Sequence, residues 1–525
     1  MCQINRKILS LIIAVCLLIT VTGCQSKDDD NKDGNIFGST VKSDLSNFDL
    51  LYCTKDTFDP YACKTKQNFE LSHLLFDPLV KVDNEFNPVN ALASTVTIED
   101  KSCIVVLKSA RFSDGTPVTA DDVVFSFNKA KASKSVYGYS LKNAASIVKQ
   151  TDNTVVITLK KADPYFENVL DFPILKQNSD QLKNSDNKAL PPIGAGRYHF
   201  NEDYTALVVN KNYYGTISNI KNIGLVDSPD DEADYHNIEI GVVDYYYSDL
   251  SDGSFPKMNG AKAEVNLNNL VFIGINFNNR YLNNLSIRQA ISSAIDRTKI
   301  AKESYFTNAT AAMGPFPTAF KAAKDYQSIS VTANAAIAAS NLQNAGITEK
   351  NADGKYLKGK SPVSLRLMVN NDNSVRVAAA TQIAKQLNDF GFNVQVEKVS
   401  RKTYDARIAA KNFDLYLGEM RISNNMDLSD LISTIETKGY VSSSEISLQN
   451  SSNTTSTVKT VSTKTAVNKF YRGEYSLGDM LNVFSSELPI IPVCHRKGLC
   501  MYNDNIKNPF YPSVSDLFYK LENVS

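Results

Sequence analysis

Apolar positions along the chain switch repeatedly between alternation and a spacing of about 3.6, which predicts strands and helices in turn and so an α/β fold. The β-branched run Cys103–Leu107 predicts a buried strand, and Ser113-Asp114-Gly115 a turn. Thr119 is then placed to cap a helix running to Ala132, with Asp121 and Asp122 in its first turn, Asp122 in the capping-box position, and Val123, Phe127 and Ala130 on its apolar face. Further strands are expected at Phe48–Tyr52, within Ala91–Leu107, at Val155–Leu159 and at Leu270–Asn276, with a helix at Phe69–Leu75. Ser286–Ile300 reads as one helix, with Ser286 and Gln289 as its capping box and Ile287, Ile291 and Ile295 stacked at i, i+4. A helix is expected at Asn334–Ala345. Strand Val363–Val369, helix Ser374–Phe390, strand Val394–Val399, helix Lys402–Ala410 and strand Phe413–Leu417 then follow as crossovers that build a parallel sheet. The Ser/Thr-rich run Tyr440–Ala466 breaks the pattern and reads as a surface insertion, after which helix Leu477–Glu487 and a strand or hairpin at Ile490–Tyr502 resume it.

At 525 residues the chain exceeds one ordinary domain, so two or three lobes are expected. Lys plus Arg and Asp plus Glu balance at 56 each, which argues against a polyanionic partner such as nucleic acid. Arg6-Lys7, the apolar run Ile8–Ile19 and Val21-Thr22-Gly23-Cys24 have the form of a secretory signal ending in a lipobox. Cleavage before Cys24 would leave that residue to carry diacylglycerol, and the polar stretch Gln25–Gly34 would serve as a tether. Of the remaining cysteines, Cys53, Cys63, Cys103, Cys494 and Cys500, the last two flank His495-Arg496-Lys497-Gly498; a hairpin could join them, or both could be free core thiols. His73, His199, His236 and His495 form no close pair, so no metal site is expected.

The run CIVVLKSARFSDGTPVTADDVVFSFNKA, Cys103–Ala130, closely resembles the segment that marks extracytoplasmic solute-binding proteins of family 5, which serve peptide, nickel and certain sugar importers. VFIGINFNNRYLNNLSIRQAISSAIDRTKI is a second strong match. Pro191-Pro192-Ile193-Gly194-Ala195-Gly196-Arg197-Tyr198 resembles the family's glycine-rich return between lobes, as Leu488-Pro489-Ile490-Ile491-Pro492 resembles its last return. The resemblance covers Phe48 to Asn503. It implies a bilobal, type II periplasmic-binding-protein-like clamshell with an additional small lobe. The expected parts are a signal peptide at 1–23, a tether at 24–39, lobe I at 40–70, 189–268 and 481–525, lobe II at 71–188, and lobe III at 269–480.

Enzyme signatures are missing: there is no Gly-x-Ser-x-Gly, no His-Glu-x-x-His and no selected carboxylate pair, so no catalytic role is expected. The resemblance implies instead a lipid-anchored receptor on the outer face of the cytoplasmic membrane, acting as a monomer without cofactor. It would close on an oligopeptide-like solute and pass it to ABC permease subunits. A sensor, or a receptor for sugar or metal chelate, would share the fold. Thr57-Phe58-Asp59 borders the cleft in relatives, making Phe58 and Asp59 candidates, and Tyr247 and Ser248 follow a family segment that meets ligand backbone. The sharpest candidate region is Leu417–Asp427. Peptide binders of the family carry there an Asp for the ligand's α-amino group, four residues beyond Gly. Here that position is Ile422, the expected aromatic is Glu419, and the chain has no Trp. Arg421 could hold a ligand carboxylate, or Glu419 and Asp427 could take a cation. Alternatively Arg421 pairs with Glu419 or Asp427 and braces the loop.

Overall fold

The computed structural model describes residues 48–253, 260–326, 331–441, 445–449, 455–459, 461–503, 506 and 511–524, all within one compact unit, Lys42–Ser525. The signal sequence, Cys24 and the tether lie outside the described residues. Strand β1 (Phe48–Tyr52) leads to helix α1 (Lys66–Leu75). Strands β2 (Ala93–Glu99) and β3 (Ser102–Leu107), helix α2 (Ala120–Ala132), and strands β4 (Ala144–Thr151) and β5 (Thr154–Leu159) follow, and the strands form an antiparallel sheet of order β2-β3-β5-β4. Helix α2 starts as its sequence dictates, because the Asp122 carboxylate accepts from Thr119 N at 2.8 Å and Thr119 Oγ1 at 2.7 Å.

The chain then returns to pair beside β1. Strands β6 (Tyr198–Phe200), β7 (Ala206–Val209) and β8 (Asn222–Asp227) complete a sheet of order β1-β8-β7-β6, in which β1 and β8 are parallel. The return is glycine-punctuated for a steric reason. A Cβ on Gly194 would lie 2.1 Å from Leu75 O, and one on Gly196 2.3 Å from Leu74 O, so only glycine lets this segment rest on the end of α1. Gly196 N donates to Leu75 O at 3.0 Å there.

The largest sheet is built from β9 (Tyr245–Ser248), β10 (Ala261–Ile275), β11 (Ser364–Asn370), β12 (Asn393–Val399), β13 (Leu415–Arg421) and β14 (Ile490–Tyr502), in the order β9-β14-β10-β13-β11-β12, with the short strand Ala309–Ala311 added beside β14. Strand β11 runs parallel to both β12 and β13, as the crossover pattern predicts. The expected lobe boundary at 268/269 falls inside continuous β10, whose ladder with β14 is interrupted only by bulges between Asn266 and Leu270 and between Val271 and Phe272. Pro492 pairs with Phe272 at the second bulge, where a missing N–H is tolerated.

Several expectations are corrected. Ser286–Ile300 is two helices: Asn284 caps Leu285–Ser293 by accepting from Ile287 N at 3.2 Å, and Asp296 caps Arg297–Glu303 by accepting from Lys299 N at 2.9 Å. Buried Arg297 stabilises the break by donating to the carbonyls of Ser292 at 2.9 Å and Ile295 at 3.2 Å, and to Pro492 O at 2.8 Å. Cys494 and Cys500 lie six positions apart on single strand β14, roughly 20 Å at about 3.3 Å per residue, so they are free thiols and no hairpin joins them. Within 440–466, Glu445–Gln449 pairs with Thr455–Lys459, and a helix begins at Thr463 and runs to Tyr471; residues 442–444, 450–454 and 460 lie outside the description.

Candidate functional site

Lys66, Phe69, Glu70 and His73 recur at i, i+3, i+4 and i+7 along α1, so helical geometry puts them on one face. That face borders a cleft of about 580 Å³. Its other walls are the short helix Val136–Ser140, Asp171, Tyr247 at the end of β9, Leu267 and Asn269 of β10, Arg421 and Asn424 at and beyond the end of β13, and the segment Val514–Leu517. Its volume suits a ligand of drug size, and the mixture of aromatic, amide and charged groups suits one with polar ends.

The C-terminal wall is fixed by a buried ionic network. Asp516 accepts from Arg197 Nη2 at 2.6 Å and pairs with Lys81 at 2.9 Å, and Lys81 pairs with Asp77 at 2.9 Å. Burial alone would raise Asp516, yet Arg197 and Lys81 hold it well below the usual carboxylate range. Leu517 beside it accepts through its carbonyl from Tyr245 Oη at 2.7 Å and donates its N–H to His73 Nδ1 at 3.4 Å. Burial pushes the His73 imidazole down to about 4, so it is neutral near pH 7, and with Nδ1 accepting from Leu517 its proton sits on Nε2 as a donor.

Tyr247 reaches the cleft because its cross-strand neighbourhood is open. A Cβ at Gly498 of β14 would come within 2.7 Å of Tyr247 Cε2 and 2.9 Å of its hydroxyl. The Lys66 ammonium lies 4.1 Å from the Tyr246 ring centroid and 5.7 Å from that of Tyr247, and 3.7 Å from Glu70 Oε1. Burial pushes Glu70 up to about 8, with Lys66 opposing, so this carboxyl carries its proton near neutral pH.

Of the alternatives left for Arg421, the structure argues against loop bracing through Glu419 or Asp427. The proposed bracing partners are engaged elsewhere. Glu419 lies between Arg496 at 2.5 Å and Arg376 at 2.9 Å and accepts from Asn269 at 3.0 Å; against its burial, these two arginines hold it below the ordinary range. Asp427 pairs with Lys161 at 3.0 Å and accepts from Ser429 N at 2.8 Å. The Arg421 side chain is exposed in the cleft, with no hydrogen bond or ion pair among the described residues. Loop bracing is the work of Glu419 and Asp427, each with another partner.

Of the candidates read from the sequence, the structure brings Tyr247 and Arg421 into one cleft. The others sit outside its lining. Phe58 packs on Tyr52 and edge-on to Phe200, with centroids at 6.3 and 4.7 Å. Asp59 accepts from Tyr61 N at 3.0 Å and pairs with Lys129 at 2.9 Å. Ser248 is buried and accepts from Leu250 N at 3.1 Å. Sequence reasoning missed Lys66, Glu70, Tyr137, Asp171, Asn424 and Val514–Leu517. The α1 face had a readable helical spacing; the rest converge from distant segments and carry no local signal.

Residues 86–440 match the model of bacterial extracellular solute-binding proteins, family 5 middle region. Oligopeptide-binding protein AppA of Bacillus subtilis is 26% identical over 388 residues, 70% of this chain and 69% of its own. The solved structure of Bacillus subtilis AppA with a nonapeptide superposes with a TM-score of 0.55 at 21% identity, covering 91% of this chain and 98% of that one. An ABC transporter substrate-binding protein from Sinorhizobium meliloti reaches a TM-score of 0.69 at 18% identity, covering 91% and 99%. The fold shared with these structures is the bilobal α/β type II clamshell.

Proposed function

This chain belongs to the bacterial extracellular solute-binding proteins of family 5, and we propose that within it the protein captures an oligopeptide-like solute for an ABC importer. Lobe closure traps the solute in the cleft beneath α1. The observation that carries this reading is the Arg421 guanidinium, without a hydrogen bond or ion pair among the described residues, in a cleft that also presents Tyr247, Asn269 and Asn424, groups able to bond a peptide's carboxylate and backbone. The relative named for oligopeptide binding, Bacillus subtilis AppA, supports the same ligand class. The protein acts without chemistry on the solute, as a monomer that presents cargo to a permease.

Anchoring at the outer face of the cytoplasmic membrane through lipid on Cys24 is part of the proposal, supported by Val21–Cys24 and the polar residues after it. Replacing Cys24→Ser should release folded protein from the membrane fraction; retention of an intact, unlipidated variant would refute the anchor. Capture is tested by mass spectrometry of solute carried through native purification, followed by scattering and melting with that solute. Bound solute should shrink the radius of gyration and raise the melting temperature. Tight binding with neither change would refute a closing receptor.

A further inference from the structure

Three carboxyl groups line the cleft, Glu70, Asp171 and Asp249, and they differ in what already serves them. Glu70 has Lys66 at 3.7 Å, and Asp249 closes its own turn by accepting from Ser251 N at 2.9 Å in the same corner. Asp171 stands apart, near Arg421. One of its oxygens accepts from Asn424 Nδ2 at 3.1 Å, and no other residue bonds its side chain among the described residues. Asn424 is itself fixed, because its carbonyl accepts from Asn168 Nδ2 at 3.2 Å while that amide also donates to Phe86 O at 2.9 Å. The carboxylate is thus oriented by a neighbour, open to the cleft and without a cation in ion-pair contact among the described residues. Arg421 is its complement, a guanidinium that acts on Asp171 through space and makes no ion pair among the described residues.

Resting on the peptide reading above, we infer that the solute is a compact zwitterion whose ammonium docks on Asp171 and whose carboxylate docks on Arg421, both ends free within one cleft. The two protein charges come from separate parts of the fold: Asp171 follows the β2–β5 sheet, and Arg421 ends a strand of the largest sheet. A solute carrying both charges therefore bridges them, whereas either protein charge alone leaves the other unserved. Burial pushes Asp171 up to about 6, with Arg421 opposing, and a docked ammonium would draw it back down. The cleft volume of about 580 Å³ suits a short peptide held at both ends.

The test uses three mixed-sequence libraries of short peptides: one with free ends, one N-acetylated and one C-amidated. Retention by the protein is read by mass spectrometry and binding by melting shift. The free-ended library should be retained, and each blocked library should bind about tenfold more weakly or worse. Asp171→Asn should erase the discrimination against acetylation alone, and Arg421→Gln that against amidation alone. Equal binding of all three libraries by the unmodified protein overturns this inference while leaving the peptide reading standing, whether or not either variant folds. Retention of none, with no melting shift, overturns both.

Discussion

Lys161 and Asp427 pair at 3.0 Å, joining the end of the β2–β5 sheet to the loop that follows β13. The same ammonium donates to Ser429 Oγ at 2.7 Å and lies 3.7 Å from the Tyr471 ring centroid. Around this pair Asn425 donates to Asp163 at 2.6 Å and Lys142 bonds Asp430, so residues 424–430 dock as a polar latch. Removing the cation by Lys161→Met should weaken docking by about 1.5 kcal/mol, the low end for bonds to charged groups because the lysine is 34% exposed. Scattering without solute should show a larger radius of gyration, and adding Asp427→Asn should cost little more. Fully additive losses would mean the two residues act separately.

The latch should respond to pH. Burial pushes Asp163 up to about 6, against the Asn425 amide and helped by nearby Asp427. A carboxyl raised on folding stabilises fully below its unfolded range near 3.9 and loses that contribution as pH rises through its folded value. Asp171, also raised to about 6 by burial, acts in the same direction. These two carboxyls should therefore lower the melting temperature without solute between about pH 4 and pH 7, against the opposite contribution of buried His73 and His495, and Asp163→Asn should remove part of that loss relative to the unmodified protein. An unchanged pH profile in that variant would reject the assignment.

Asp516 neutralises Arg197 and Lys81 together. Its replacement, Asp516→Asn, removes the close carboxylate of buried Arg197 and leaves Lys81 with Asp77 alone, and should cost about 3–5 kcal/mol in denaturant unfolding. Because Ser515 and Leu517 border the cleft, solute affinity should fall with it. Loss of less than about 1 kcal/mol would show that water reaches the network.

Gly498→Ala should push on the Tyr247 ring. An added methyl in so close a contact typically costs about 1–3 kcal/mol. Combining it with Tyr247→Ala should recover the stability lost through the clash without restoring solute affinity. If the double variant stays as unstable as Gly498→Ala, the strain lies in the strand.

Elements whose cues lie within a few residues were legible from the sequence. Phe48–Tyr52, Ser374–Phe390, Leu477–Glu487 and Ile490–Tyr502 have the bounds their periodicity predicts. The break after Ser293 was missed because the isoleucine spacing continues across it, while the deciding groups are Asn284, Asp296 and the carbonyls gathered by Arg297. At the cleft, the residue types in Leu417–Asp427 identified chemistry but not partners. Glu419 meets Arg376 and Arg496, 43 and 77 positions away, and Asp171 meets Asn424 across 253. Such pairings depend on sheet order and strand register, which no window of sequence contains.

Just before the first bulge in β10, Asn84 bonds the strand from outside its ladder. Its Oδ1 accepts from Asn266 N at 2.6 Å, its carbonyl accepts from Asn266 Nδ2 at 2.7 Å, and its own amide donates to Glu264 O at 3.1 Å. A turn belonging to one part of the molecule thus bonds to a strand belonging to another. Bending at this point need not melt the strand, since the flanking ladder positions 261–266 and 270–274 keep their partners while only the borrowed bonds are exchanged with water. Were the proposed closure to bend β10 here, its enthalpic cost would be confined to these few exchangeable bonds, and amide exchange along the flanking ladder should stay slow.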